Sequence, residues 1–317
     1  MRKIYVSLTG GLGNQLFQMA AALSIANGDG VEVEWINSRP RLNSSDEPEI
    51  SGFTLPGNVA FQKRHKFQAL SSKSVGYILR AGVNPRKYES SKLFRRTTAF
   101  LASVVNIATF RKFIPIYVNK GVGYSHEVSL NGHKSLHLVG YFQTFKWLEG
   151  NGSIWGLENI RVRKESPELT ELIELAATEN PLVVHMRFGD YRLENSFGLL
   201  TSRYYQDSIR ELWKSERYKA VWVFSDEIDQ ARKYLSGIEF KNVRFIPDVA
   251  KSSSQTLEAM RLGKGYVIGN SSFSWWAARM SFNQGAPVIA PTPWFIGQNE
   301  PADLIPPNWI RMMGHAE

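Results

Sequence analysis

Three short apolar runs in the second half of the chain end abruptly in polar residues, and this pattern restricts the fold more than any other feature. The runs are residues 181–184 (PLVV), 220–224 (AVWVF) and 266–268 (YVI), each of a length suited to a strand buried on both faces. Helical signals lie between and before them, at residues 167–177 and 202–213. This alternation of strands and helices predicts a parallel, Rossmann-like α/β domain.

The residues that follow the first run carry the chemistry of a binding site. They are His185, Arg187, Gly189 and Asp190, within HMRFGDY. Ligands of open α/β sheets bind outside the carboxyl ends of the strands, so these side chains are expected to face the binding crevice. Arg187 offers a planar fork to two phosphate oxygens, and His185 offers a ring nitrogen to a base or sugar. The competing interpretation is a surface turn with an Arg187–Asp190 ion pair.

The other two runs end in polar clusters of the same kind. Asp226 follows the second run, where its carboxylate can accept two N–H bonds from guanine or cap the next helix. Ser271, Ser272 and Ser274 follow the third run at a predicted helix N-terminus, which can hold phosphate without a metal. Capping needs only one of these hydroxyls. Polar clusters at three successive strand ends therefore favour a nucleotide-phosphate site.

A Gly-rich turn near the start of the chain predicts a second Rossmann-like domain. Residues 4–26 read as a strand, a turn at residues 10–13 and a helix. The turn matches the dinucleotide fingerprint only in part, because Leu16 occupies the place of its third glycine. It is either an anion-binding helix mouth or a tight turn that the fold requires. Asn14 and Gln15 add two amides that can hydrogen-bond a sugar or phosphate.

The last strand signal of the first half, residues 137–143, ends in an aromatic and amide cluster. Tyr141 and Gln143 can line a cleft between domains, since aromatic faces and neighbouring amides suit sugar rings. Packing of Tyr141 into the core is the competing interpretation. An Asn-Gly-Ser sequence that ends at residue 153 marks the joint. We therefore predict an N-terminal domain at 1–153 and a C-terminal domain at 154–317.

Positive charge is concentrated in a basic insertion at residues 61–120. The chain has a net charge of +9, and this insertion holds thirteen Lys or Arg against one acidic residue, Glu89. Its apolar residues 97–110 are bracketed by two basic pairs, Arg95-Arg96 and Arg111-Lys112. This segment is either an interfacial helix on an anionic membrane or a core helix with solvated ends. The insertion lacks interleaved base-stacking aromatic residues, so nucleic acid is not an expected partner.

Composition indicates the kind of compartment in which the protein is expected to work. The chain has no Cys, which excludes disulfides and cysteine-ligated zinc and fits a reducing compartment. No run approaches the roughly 18 apolar residues of a membrane-spanning helix, and no signal sequence is visible. We therefore expect a soluble, cytoplasmic protein, with peripheral contact through residues 61–120 to the inner face of the membrane.

Together these segments resemble the α-1,2-fucosyltransferases of glycosyltransferase family 11, over nearly the whole chain. The matching motifs are GGLGNQLFQMA at 10–20, GYFQ at 140–143, HMRFGDY at 185–191, FSDE at 224–227, GNSSFSWWAA at 269–278 and PTPWF at 291–295. The resemblance implies a GT-B fold, two Rossmann-like domains facing across a cleft. It implies inverting transfer of L-fucose from GDP-β-L-fucose to the 2-hydroxyl of a terminal galactoside, without a metal or other cofactor. GDP-colitose is the alternative donor.

The resemblance also assigns roles to individual residues. Arg187 holds the β-phosphate, and the further donor-binding residues are His185 and Asp226 at guanosine, Ser271 and Ser272 near the pyrophosphate, and Asn14 in the G-N-Q motif. Tyr141 and Gln143 then belong to the acceptor side. Phe188 departs from the H-x-R-R-x-D motif, which carries a second arginine there. We expect Arg187 alone to suffice, because one guanidinium can contact phosphate through two bonds.

Catalysis by such an enzyme needs fixed positive groups and a base. Negative charge builds on the departing β-phosphate, where it would meet Arg187 and the helix mouth at residues 271–274. The acceptor hydroxyl must lose a proton, and Glu194 is the candidate base. Asp190 is the second candidate, and it can instead orient Arg187. The expected acceptor is a galactose-terminated oligosaccharide of a surface polysaccharide or O-antigen, in lipid-linked form.

Two other functions stay open from the sequence. An NAD-dependent oxidoreductase would use the turn at residues 10–13 for its cofactor. A non-catalytic glycan-binding or membrane-surface module would use the basic insertion and the aromatic clusters. The polar clusters at three strand ends argue against both.

Overall fold

The computed structural model divides the chain into two compact units. The first unit is Met1–Ile160 with Pro301–Leu304, and the second is Arg161–Glu300 with Ile305–Glu317. The structure describes residues 3–35, 47–61, 115–119, 122–124, 135–149, 156–193, 197–215, 217–237, 242–297 and 299–315, and single positions between 93 and 104. The predicted joint at residues 151–153 lies outside these residues.

The first unit is built on a parallel sheet. Its described strands are β1 (Lys3–Leu8), β2 (Gly30–Trp35), β3 (Val59–Phe61), β4 (Ile116–Val118) and β5 (Ser135–Val139). They lie in the order β3-β2-β1-β5-β4, with every described pair parallel. Helix α1 (Leu12–Ala26) follows β1 and packs against it. Strands β2 and β3 lie on one side of β1, and β5 and β4 lie on the other. The strand order therefore reverses between β1 and β5, and the carboxyl ends of these two strands form the switch point of the sheet.

The second unit carries the other predicted sheet. Its described strands are β6 (Leu182–Met186), β7 (Val221–Ser225), β8 (Val243–Ile246), β9 (Gly265–Val267), β10 (Val288–Thr292) and β11 (Ile310–Met313). They lie in the order β11-β10-β9-β6-β7-β8 and are parallel. Counted within the unit, this order is that of the dinucleotide-binding fold, and its switch point lies between β6 and β9.

Local sequence explains the elements of the second unit. The described helices are α2 (Pro167–Glu179), α3 (Ser202–Trp213), α4 (Ile228–Tyr234), α5 (Ser253–Met260) and α6 (Ser272–Arg279). Before α2, the Ser166 hydroxyl accepts a hydrogen bond from the Leu169 N–H at 3.2 Å, and Pro167 takes the first helical position. Every residue of β6 and β7 is buried, as their continuous apolar runs predict.

Two α/β units with parallel sheets are the architecture of the GT-B fold, and the predicted fold class is confirmed. The predicted strand signals at residues 181–184, 220–224 and 266–268 correspond to β6, β7 and β9. The carboxyl ends of these strands bring together the polar clusters that the sequence singled out.

Candidate functional site

The loop after β6 is tied to the loop after β7 by the carboxylate of Asp226. Its Oδ1 accepts a hydrogen bond from the Phe188 N–H at 3.0 Å, and its Oδ2 lies 3.3 Å from Arg187 Nη1. Gly189 packs against the same carboxylate, because a Cβ there would lie 2.6 Å from Asp226 Oδ2. The Arg187 side chain is 36% exposed. Arg187 is therefore held in position and still accessible to an anion.

Phe188 points away from this ion pair and into the core. It is 1% exposed and packs edge-on against Tyr234, with ring centroids 4.9 Å apart. Position 188, where the motif has its second arginine, thus faces inward in this protein. A second tie between the two loops comes from Arg192, whose guanidinium donates two hydrogen bonds to Glu227 at 2.6 and 2.7 Å.

His185, near the end of β6, is a buried and neutral imidazole. Burial, with a smaller contribution from the charge of Arg187, lowers the pKa of His185 to about 3. Its ring lies 5.8 Å from that of Phe273 in α6. The buried Nδ1 has no hydrogen-bond partner among the described residues. Buried polar atoms are normally paired, so this nitrogen keeps an unused hydrogen-bonding capacity beside the candidate site.

The N-terminus of α6 lies at the end of β9. Ser271 caps the helix, because its hydroxyl oxygen accepts a hydrogen bond from the Phe273 N–H at 3.3 Å. Ser272 occupies the first helical position and is half-buried. Ser274 is fully buried, and its hydroxyl bonds to the carbonyl oxygens of Gly269 and Ser271. The expectation that all three hydroxyls stand at the helix mouth is therefore wrong for Ser274, which stabilises the turn from within.

Tyr191 links the loop after β6 to the loop after β9. Its hydroxyl donates to the Asn270 carbonyl at 3.1 Å, and its ring stacks on Phe197 at 4.8 Å. The Arg187 guanidinium carbon lies 5.9 Å from the centre of the Tyr191 ring. The sequence placed Tyr191 within a motif but gave it no role. Glu194 and the side chain of Asp190 lie outside the described residues, so the candidate bases stay predictions.

The first unit brings Asn14 and Gln143 together at its own switch point. Gln143 Nε2 donates to Asn14 Oδ1 at 2.8 Å. Gln15 is instead fully buried and bonds to the Gly10 carbonyl and the Ile50 N–H, so the expectation that it contacts a ligand is wrong. Tyr141 is half-buried. Asn14, Gln143 and Tyr141 thus keep the accessibility that a binding role needs.

A carboxylate of the protein itself occupies the N-terminus of α1. The Leu12 N–H donates to Glu49 Oε2 at 2.8 Å, and the N-cap residue Gly11 has no side chain to contribute. A negative charge is stabilised at this end of a helix. Of the two interpretations of the Gly-rich turn, the structure favours the structural one, because Glu49 supplies the anion.

The sequence missed a buried polar cluster that joins the three central strands of the first sheet. Ser7 on β1 lies with its hydroxyl 2.7 Å from His137 Nε2 of β5 and donates to Glu34 of β2 at 3.1 Å. All three side chains are buried. Burial lowers the pKa of His137, so the cluster holds a neutral imidazole. Ser7 alternates with the apolar residues Val6 and Leu8 along β1, but no local pattern pairs residues as far apart as Ser7, Glu34 and His137.

Clusters of possible metal ligands and membrane-spanning helices are both absent from the described ranges. No group of three or more His, Cys, Asp or Glu side chains there could hold a metal ion. No helix in this part of the chain is long and apolar enough to cross a membrane.

Comparison with known proteins finds similarity to one glycosyltransferase family and to individual glycosyltransferases. The model of glycosyl transferase family 11 matches residues 159–312. An alpha-1,2-colitosyltransferase from Escherichia coli is 28% identical, with 98% of this chain and 99% of the relative covered. The O-antigen biosynthesis glycosyltransferase WbnK from Escherichia coli is 22% identical, with 98% of this chain and 100% of the relative covered. A crystal structure of NodZ alpha-1,6-fucosyltransferase soaked with GDP-fucose is 15% identical, covers 88% of this chain and 92% of its own, and has a TM-score of 0.46.

The family match covers the residues that form the candidate site of the second unit, from His185 to the helix that begins at Ser272. An oxidoreductase and a non-catalytic binding module are therefore set aside. The chain is a glycosyltransferase, and its second unit is similar to glycosyl transferase family 11.

Proposed function

We propose that this protein transfers L-fucose from GDP-β-L-fucose to the 2-hydroxyl of a terminal galactoside, with inversion and without a metal ion. GDP-colitose is the second candidate donor, because the relative that is 28% identical is named a colitosyltransferase. The observation that carries the proposal is an accessible arginine, Arg187, at the switch point of a sheet with the dinucleotide-binding strand order.

The donor diphosphate is matched by two groups at this switch point. Arg187 can contact two oxygens of the β-phosphate, since its side chain is oriented by Asp226 yet partly exposed. Ser271 and Ser272 stand at the N-terminus of α6, where a helix favours negative charge. Both groups bind the diphosphate through fixed positive charge or N–H dipoles, which is what a reaction without a metal requires.

The nucleoside is matched by His185 and Asp226. The unpaired Nδ1 of His185 can accept or donate one hydrogen bond. Both carboxylate oxygens of Asp226 already bind the loop after β6, so a guanine contact would use their remaining lone pairs. Asn14, the further donor-binding residue of the proposal, belongs to the first unit together with the acceptor residues Gln143 and Tyr141.

In the proposed reaction the bond between the sugar C1 and the β-phosphate oxygen breaks as the acceptor oxygen bonds to C1 from the opposite face. The electron pair of the broken bond stays on GDP, where Arg187 stabilises the added charge. The acceptor proton passes to a carboxylate, for which Glu194 is the first candidate and Asp190 the second. The proposed acceptor is a galactose-terminated, lipid-linked oligosaccharide at the cytoplasmic side of the membrane, in line with the O-antigen relative.

Replacing Arg187 with alanine tests the donor site. The variant should lose about 10²- to 10⁴-fold in transfer rate, because it removes a charge-assisted contact that strengthens as charge builds on the phosphate. Its stability should change by less than about 1 kcal/mol, because the ion pair with Asp226 is partly exposed. Arg203→Ala is the matched control, since Arg203 is 89% exposed and pairs with Asp207 on α3 in the same unit.

The assay measures binding of GDP, GDP-fucose, GDP-colitose and NADH by calorimetry, and transfer to a galactoside after treatment with EDTA. We expect GDP and one GDP-sugar to bind, NADH not to bind, and Arg187→Ala to weaken GDP binding while Arg203→Ala does not. Near-normal transfer by Arg187→Ala would refute the phosphate role. Loss of transfer in EDTA that added metal restores would refute metal independence. The sugar found on the product identifies the donor.

A further inference from the structure

Four large apolar side chains of the basic insertion lie on the surface of the protein. Their exposed fractions are 74% for Leu93, 67% for Phe100, 64% for Leu101 and 46% for Val104. The described positions in this segment are helical, and the Thr97 hydroxyl donates to the Leu93 carbonyl one turn earlier, at 2.7 Å. Exposure of this extent does not fit a core helix, which was one of the two interpretations of residues 97–110.

The four exposed side chains share one face of the helix. On an ideal helix, at about 100° per residue, positions 93, 100, 101 and 104 fall within an arc of about 100°, which also holds the exposed Thr97. On the same ideal helix, positions 93 and 104 lie about 17 Å apart along the axis, much less than the roughly 30 Å of a hydrocarbon core. An apolar face of this width and length suits a helix that lies in the plane of an interface, with only one side buried.

Charge decides among the partners that could cover this face. No Asp or Glu occurs in the sequence between residues 90 and 126, whereas six cations do: Lys92, Arg95, Arg96, Arg111, Lys112 and Lys120. Arg96 is a described residue of the same helix and is exposed. A bilayer with acidic lipids offers an apolar interior beneath an anionic surface, which complements both properties. Nucleic acid would match the charge but leave the apolar face uncovered. A second copy of the chain would cover the apolar face but bring two positive surfaces together.

We propose that the exposed face formed by Leu93, Phe100, Leu101 and Val104 docks this protein onto a membrane surface that contains anionic lipids. The four apolar side chains insert at the level of the acyl chains, and Arg96 lies among the headgroups. This surface goes beyond the proposed transfer reaction and does not depend on the identity of the donor. It would hold the enzyme where a lipid-linked acceptor is found.

Vesicle flotation tests the docking surface with the full chain. We expect the protein to float with vesicles of phosphatidylcholine mixed with phosphatidylglycerol, to stay behind with pure phosphatidylcholine, and to be released by salt. The double substitution Phe100→Glu with Leu101→Glu should lower binding at least about tenfold, because it removes two anchors and adds two repelled charges. Arg96→Gln should lower binding about fivefold, the effect of one cation at such a surface.

Met313→Glu is the matched control, because Met313 is 59% exposed on the edge strand β11 of the second unit. It should leave flotation unchanged. Thermal unfolding of each variant shows that its fold is intact, as expected for exposed positions. Absence of binding to the anionic vesicles at low salt would overturn the proposal, and so would equal binding by the double variant.

Two other outcomes would assign the face to another partner. Salt-sensitive binding to a homopolymeric RNA without vesicle binding would indicate nucleic acid. A dimer in solution that the double substitution converts to a monomer, again without vesicle binding, would indicate a second copy of the chain. Each result would overturn the membrane proposal, and neither would affect GDP binding by the second unit.

Discussion

Replacing Gly189 with alanine tests whether Asp226 holds the loop that carries Arg187. The added Cβ would lie 2.6 Å from Asp226 Oδ2, whereas ordinary contact begins at 3.4 Å, so this oxygen must move by about 0.8 Å. The carboxylate has little freedom to do so. Its movement lengthens the 3.0 Å bond from the Phe188 N–H, the 3.3 Å pair with Arg187, or both.

The size of the effect follows from these two contacts. A hydrogen bond to a charged group contributes about 1.5–3 kcal/mol, and a partly exposed ion pair contributes less than about 1 kcal/mol. We therefore expect Gly189→Ala to lower the free energy of unfolding by about 1–3 kcal/mol. At about 2–4 °C per kcal/mol for a unit of this size, the unfolding midpoint should fall by about 2–12 °C. Affinity for GDP should fall about tenfold, because Arg187 loses its fixed orientation.

Thermal unfolding and calorimetry with GDP measure these two quantities. Gly57→Ala is the matched control, because a Cβ at Gly57 meets no described atom within 4 Å. A second test uses the Asp226→Ala background, where Gly189→Ala should cost nothing further because the opposing oxygen is gone. The reasoning is refuted if Gly189→Ala behaves like Gly57→Ala, or if its cost is the same with and without the Asp226 carboxylate.

Two further predictions concern buried charge and helix capping. Burial lowers the pKa of His185 from an ordinary value of 6.5 to about 3, so the folded protein favours the neutral imidazole. The contribution of His185 to the free energy of unfolding is therefore complete above pH 6.5 and is lost as the pH falls toward 3. His185→Gln should make stability less sensitive to acid in denaturant unfolding between about pH 4 and about pH 7; profiles parallel to those of the wild type would contradict this. Glu49→Gln keeps an acceptor for the Leu12 N–H but removes the charge at the start of α1, so it should lower the free energy of unfolding by about 0.3–1 kcal/mol, less at high salt. Glu47→Gln is its control, because Glu47 is exposed and accepts a hydrogen bond from the Ser51 hydroxyl at 3.2 Å. Equal effects of the two substitutions would count against helix capping by Glu49.

The elements of the second unit could be predicted because their signals are local. Residues 202–213 were predicted as a helix and form α3 with the same bounds. Apolar runs predicted β6 and β7, since a strand buried on both faces leaves no place for polar residues. The strand ends then placed Arg187 and Asp226 at one edge of the sheet, because parallel strands share their carboxyl edge.

The partners of individual side chains could not be predicted in the same way. The structure pairs Arg187 with Asp226, 39 positions away, and no local pattern indicates a contact between residues so far apart. Glu49 and Leu12 are a comparable pair, 37 positions apart. Whether the Phe188 side chain faces the core or the solvent depends on the backbone of a loop. A loop has no regular periodicity from which the buried side chains could be predicted.

The ion pair between Arg187 and Asp226 has a consequence for the turnover rate. An anion that binds the guanidinium must compete with a carboxylate 3.3 Å away, so its affinity reflects an exchange of one partner for another. The reverse exchange would accompany release of a nucleotide product. As the phosphate leaves Arg187, the Asp226 carboxylate can pair with the guanidinium again, so Arg187 is not left as an unpaired charge. In the proposed reaction, Asp226 would therefore lower the net cost of releasing GDP, because the guanidinium regains a partner as the phosphate leaves.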